Sequence, residues 1–118
     1  MTALLNLTNI MKIHTTDSSK LDGTSFHGDS ILATTNNLRE LFGEPFTYTP
    51  NDIYDKVTRD WCLELEDGTP FSIYDWKEYR TYGDEENITF HIGAHSKKDS
   101  ERVFKVLTEE YGLKEGQW

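Results

Sequence analysis

A chain of 118 residues and 13.7 kDa is long enough to bury one hydrophobic core and too short for two of ordinary size, which predicts a single domain over 1–118. Its 12 Lys and Arg against 21 Asp and Glu leave a net charge of −9 and a pI near 4.8, so the surface as a whole opposes duplex DNA. Apolar residues reach only 36% and mean hydropathy is −0.67, yet an aromatic share of 13% supplies large apolar area per residue, and disorder is not indicated.

The first stretch carries Leu4, Leu5, Leu7, Ile10, Met11 and Ile13, enough apolar weight to pair as a strand, before Thr15–Lys20 reads as loop. Residues 1–20 are therefore expected to be loosely attached to the body. Met1–Leu7 is too short and too polar for a signal-peptide core or a membrane span, and the lone Cys62 has no internal disulfide partner. Both features predict a soluble cytoplasmic protein with no membrane partner.

Leu21–Ser30 sets Gly23 and Gly28 around small polar residues and one aromatic, which reads as a loop exposing its backbone. After the brief apolar run Ile31–Ala33, the residues Thr34, Thr35 and Asn36 are candidate N-caps for a short helix with Leu38, Leu41 and Phe42 on its apolar side. Gly43 and Pro45 end it. Phe46–Asp55, broken by Pro50 and Asn51, reads as a connection.

Val57, Trp61, Leu63 and Leu65 then alternate with Thr58, Asp60, Cys62, Glu64 and Glu66, the period of a strand with one buried face. Asp67-Gly68 signals a hairpin. The return strand carries Phe71 and Ile73 on one parity and Tyr74 and Trp76 on the other, and after a longer turn Ile88, Phe90 and Ile92 alternate with Thr89, His91 and Gly93. A three-stranded antiparallel meander follows from these periods. Ser96 with Asp99 has the spacing of a helix cap, and Val103, Phe104, Leu107 and Tyr111 share a helical stripe that Gly112 can stop. The expected fold is α+β: an antiparallel three- to four-stranded sheet with a long C-terminal helix and a short helix packed on one face. The free face, with its aromatic parity, is where protomers are expected to meet.

Catalytic patterns are weak. His91 and His95 lie four apart, and with His27 they are accompanied by no Cys or carboxylate at metal-ligand spacing, so no metal site is assigned. Cys62 shares its strand parity with Asp60 and Glu64, whose charge raises a thiol pKa and blunts its nucleophilicity. Ser25 and His27 lack the glycine-flanked nucleophile elbow and a designated acid. The carboxylates are read as a solvated face. The chain is therefore read as non-enzymatic and without a cofactor.

Binding patterns are stronger. Tyr74, Trp76 and Lys77 at the end of one strand, with His91 on a neighbour, can set ring faces, a cation and an imidazole on one surface, although packing alone also favours aromatic residues on strands. The Gly23, Thr24, Ser25, Phe26, His27, Gly28 segment offers hydroxyls and glycine backbone that can approach an anion closely.

In order along the chain stand Gly23-Thr24-Ser25-Phe26-His27-Gly28, Leu38-Arg39-Glu40-Leu41-Phe42-Gly43-Glu44-Pro45, Asp67-Gly68, Phe71-Ser72-Ile73-Tyr74-Asp75-Trp76-Lys77 and Phe90-His91-Ile92-Gly93. This series, from Gly23 to about Leu107, resembles a family of small proteins encoded by tailed bacteriophages. That family's usual pattern is a Gly-Thr-Ser-x-x-Gly loop, a helix ending in Phe-Gly-x-Pro, an Ile-Tyr-Asp-Trp-Lys strand and an aromatic-x-Ile-Gly strand. The order of the blocks is specific, whereas each block alone is not. The family loop often carries Leu, Gln and Tyr where this chain has Phe26, His27 and Asp29, a departure that bears on ligand identity.

The resemblance implies a phage counter-defence (anti-CBASS) protein: a homo-oligomeric sponge, dimer or tetramer, that sequesters a cyclic dinucleotide immune signal in the cytoplasm of the infected bacterium without cleaving it. Stacking contributes about 1–3 kcal/mol per base and micromolar binding needs roughly 8 kcal/mol. Phosphate contacts from loop N–H groups, Lys77 or Arg80 must therefore supply the remainder. Thr24 and Ser25 are the candidate hydroxyl donors, and Tyr74 and Trp76 the candidate stacking groups. Arg39 is read as a surface charge. Two alternatives stand beside this one: an acidic phage inhibitor docking on a basic host protein through Asp60–Asp67 and Asp84–Glu86, and a small hydrolase using His27 or His91.

Overall fold

Period-two alternation builds most of this chain, whose computed structural model describes residues 10–117. The strands are β1 (Ile13–Thr15), β2 (Ser25–Ala33), β3 (Thr47–Tyr48), β4 (Arg59–Leu65), β5 (Pro70–Tyr74), β6 (Ile88–Ala94) and β7 (Lys114–Glu115). The helices are α1 (Thr35–Phe42) and α2 (Lys97–Lys105), and Ser18–Leu21 forms a 3₁₀ turn. All seven strands join one antiparallel sheet in the order β1-β4-β5-β6-β2-β7, with β3 also paired to β4.

The β4-β5-β6 meander forms as its periods dictate. Trp61, Leu63 and Leu65, then Phe71 and Ile73, then Ile88, Phe90, Ile92 and Ala94 are buried along one face. Asp67-Gly68 closes the first hairpin with Gly68 at φ +93°, a left-handed conformation natural to glycine, and Leu65 N donates to Thr69 O at 2.9 Å. Leu38 and Phe42 of α1, Val103 of α2, and Val106 and Leu107 beyond it cover that same buried face. Each such buried side chain contributes about 1.5–3 kcal/mol. Both helices are capped where the sequence indicates: Thr34 Oγ1 accepts from Asn37 N at 2.9 Å, and Ser96 Oγ from Asp99 N at 3.1 Å.

Two expectations about the architecture are overturned. The sheet has seven strands where three or four were expected, because three were hidden in polar or short segments. Gly23–Ser30 is not a loop throughout: β2 begins at Ser25 and runs for nine residues, with a bulge between Phe26 and Ser30 where Gly28 sits at φ +102°. Thr47–Tyr48 and Lys114–Glu115, two residues each, are too short to display a period. The second correction concerns the long C-terminal helix. Helix α2 spans only nine residues before widening into a π turn over Val106–Glu110. There Thr108 Oγ1 donates to Phe104 O at 2.9 Å, competing for a helix carbonyl, and Tyr111 N reaches back to Val106 O at 3.2 Å. Gly112 at φ +72° ends the turn.

Of the apolar start, Leu4, Leu5 and Leu7 lie outside the described residues, whereas Ile13–Thr15 pairs with β4 and Met11 packs against the core. Among the described residues no helix is long and apolar enough to cross a membrane.

Candidate functional site

Because both helices cover one face, the other face of the sheet is left to its alternate residues. One cross-strand row runs Thr47, Asp60, Tyr74, His91, Ser30, and the next runs Cys62, Ser72, Gly93, Phe26. The β2 bulge separates Phe26 from Ser30 in the ladder, and the Phe26 ring stacks on the His91 imidazole, centroids 3.9 Å apart at 16°. Trp76, just past the end of β5, lies near-parallel to the same imidazole at 6.1 Å and 26°. Tyr74 meets His91 edge-on at 5.5 Å and Trp76 at 6.1 Å. Burial holds the His91 imidazolium below its ordinary pKa and raises the Tyr74 phenol. Gly93 supplies the space between these groups. A Cβ there would sit 2.5 Å from Ser72 Oγ, 3.3 Å from the Tyr74 ring and 3.7 Å from Thr24 Oγ1.

These rings border an open cleft of about 440 Å³ lined by Phe26, Trp76, Glu78, Thr89, His91 and Gln117, a volume within the usual range for small-molecule sites. Phe26 and Trp76 are 36% and 38% exposed at the edge of this cleft. Thr89 Oγ1 is tied to the C-terminal strand end, donating to Gln117 O at 2.8 Å and accepting from Gln117 N at 3.0 Å. Lys77 Nζ lies 5.4 Å from the Trp76 ring centroid, at the rim.

A buried polar network fixes the wall that carries Trp76. The Asp75 carboxylate accepts from Thr58 N (2.7 Å), Thr58 Oγ1 (2.5 Å), Arg59 N (3.0 Å) and Tyr82 OH (3.1 Å). Arg59, 1% exposed, donates to Tyr82 O at 2.9 Å and to Asp84 at 3.0 Å with its guanidinium 3.8 Å from the Tyr82 centroid. Burial pushes the Asp84 carboxyl up, but hydrogen bonds from Tyr48, Arg59 and Arg39 outweigh it and hold the group below its ordinary range. Arg39 is thus more than a surface charge, bridging Asp84 and Glu44. On either side of Glu78, Lys77 and Tyr79 adopt φ +53° and +51°, which costs a non-glycine residue roughly 1–2 kcal/mol. Glu78, between them, lines the cleft.

The structure therefore brings together Phe26, Tyr74, Trp76 and His91, with Lys77 at the rim and Thr24 beside Gly93. It does not gather the rest of the glycine-flanked segment there. Thr24 Oγ1 donates to Leu21 O at 2.7 Å, and Ser25 Oγ lies 3.3 Å from His27 Nε2, which is also 3.1 Å from Ala94 O. Gly23 lies against the His95 ring, and Gly28 beside the Lys97 ammonium, which donates to His27 O at 2.8 Å. As Ser25 and Phe26 pair with β6, the segment is strand rather than an open cradle of backbone N–H groups.

Glu78, Thr89 and Gln117 were not singled out from the sequence. Thr89 shares strand parity with His91, a usable signal; Gln117 gives none. Arg59 was likewise not singled out. Cys62 is buried, and that burial, then the charges of Asp60 and Asp17, push its thiol up to about 11. Among the described residues no group of three or more His, Cys, Asp or Glu is placed to hold a metal ion. Comparison with protein-family models, curated proteins and solved structures finds no match to this chain.

Proposed function

We propose that this chain is a binding protein that holds a cyclic dinucleotide by its bases and releases it unaltered, acting as a phage-encoded sponge for an immune signal in the infected cell. One observation carries the reading: the exposed Trp76 ring borders an open cleft of about 440 Å³ beside the stacked Phe26–His91 pair. Bases stack on such faces at about 1–3 kcal/mol each. The ordered blocks from Gly23 to Leu107 that resemble the phage family point to the same ligand class.

His91 packs its ring faces against Phe26 and Trp76 and helps hold the ring cluster at the edge of the cleft. At the rim, Lys77 is the group that meets a phosphate oxygen. This cleft takes one base. A ligand with two bases is then shared between two chains of a symmetric homo-oligomer, a dimer or tetramer, meeting over the sheet face that the helices leave open.

The test is a thermal-shift screen of the purified protein against cyclic and linear nucleotides, followed by recovery of ligand after heat denaturation. A cyclic dinucleotide at a hundred times its dissociation constant adds about 2.7 kcal/mol of stability, and the recovered molecule is chemically intact. A cleaved product, or no stabilisation by any cyclic dinucleotide, overturns the proposal.

A further inference from the structure

Resting on the base-binding reading above, the cleft also carries a means of choosing between bases. In its lining the exposed Trp76 ring accepts any base face. The charged side chain in its lining is the Glu78 carboxylate, held where the left-handed residues Lys77 and Tyr79 flank it. A carboxylate offers acceptors and no donor. Guanine presents two adjacent donors on its Watson–Crick edge, N1–H and the exocyclic amine, which match the two oxygens of one carboxylate. Adenine presents a lone pair at N1 beside its amine, and that lone pair faces a carboxylate oxygen unfavourably.

Glu78 retains the capacity for this contact. Its ion pair with Arg80 is 3.3 Å long, whereas Arg80 grips Glu86 through both Nη atoms, at 2.5 and 3.3 Å. The Glu78 side chain is 25% exposed, neither sealed against the body nor free in solvent. The nearby Thr89 hydroxyl is engaged with the Gln117 backbone and does not compete for the base edge.

We infer that Glu78 is the specificity-determining residue of the cleft and that it selects guanine over adenine through a two-point contact with the guanine Watson–Crick edge. Titration calorimetry with cyclic di-GMP and cyclic di-AMP tests this on the full chain and on Glu78→Gln. The wild-type protein is expected to bind cyclic di-GMP about tenfold or more tightly than cyclic di-AMP, the discrimination typical of one good bidentate contact. Glu78→Gln, whose amide complements adenine N1 and N6, is expected to abolish or reverse that preference with an unchanged melting temperature. Equal affinities in the wild type, a preference for cyclic di-AMP, or a guanine preference that survives Glu78→Gln overturns the assignment while leaving base binding intact. Binding of neither ligand overturns the base-binding reading and this inference with it.

Discussion

Trp76 and His91 do different work in the same cluster. Trp76 is 38% exposed and lies outside the core set, so Trp76→Ala is expected to weaken ligand binding by about 1–3 kcal/mol while changing unfolding free energy by less than about 1 kcal/mol. Parallel calorimetry and urea melts separate the two effects, and comparable losses in both would make the ring structural. His91 is 8% exposed and is held neutral by burial, its imidazolium pKa lying below the ordinary value near 6.5. The unfolded chain therefore takes up a proton more readily than the folded one. The stabilisation from neutral His91 is complete above about pH 6.5 and is lost as pH falls through the folded-state value. His91→Phe, which keeps a ring and cannot titrate, is expected to melt with a shallower pH dependence than the parent between about pH 7 and pH 5, and identical slopes would refute it.

Segments connecting strands matter more here than strand periods disclosed. Val57 to Gly93 showed its meander plainly because Trp61, Leu63, Leu65, Ile88, Phe90 and Ile92 each alternate with polar residues. In β2, Ser25–Ser30 hid a strand behind polar residues and a bulge, since pairing to β6 satisfies its backbone whatever its side chains are. The π turn depends on Thr108 bonding backward, a choice no apolar stripe records. Likewise the stretch from Tyr79 to Glu86 reads as a longer acidic turn, whereas Asp75 and Arg59, each 1% exposed, hold its Tyr82 and Asp84 against β4. Asp75→Ala removes the acceptor for Thr58 N, Arg59 N and Tyr82 OH together. Stranding those donors in the interior is expected to cost about 3–5 kcal/mol by urea denaturation, and a loss under about 1 kcal/mol would show that water replaces the carboxylate.

Net charge constrains the ligand as much as the cleft does. The ring cluster was readable from Tyr74, Trp76 and His91, because strand parity alone places side chains on a shared face. Glu78 and Gln117 were not, since they stand on irregular backbone whose direction only the folded loops define. At an ionic strength of about 0.01 M the Debye length is about 30 Å, comparable to the chain's own extents of 46 × 30 × 25 Å, so the net −9 acts on the cleft as a unit. At about 0.15 M it shrinks to about 8 Å, and only close neighbours such as Lys77 and Glu78 act on an incoming phosphate. Raising salt over this range removes a long-range repulsion while leaving base stacking untouched. Affinity for a cyclic dinucleotide is therefore expected to hold or tighten between about 0.01 and 0.15 M salt in calorimetric titrations. Docking of the acidic surface on a basic host protein follows the opposite rule, because attraction between unlike surfaces is what salt screens. A weakening of nucleotide affinity by about tenfold or more across that interval would place cationic contacts, not stacked rings, at the centre of recognition.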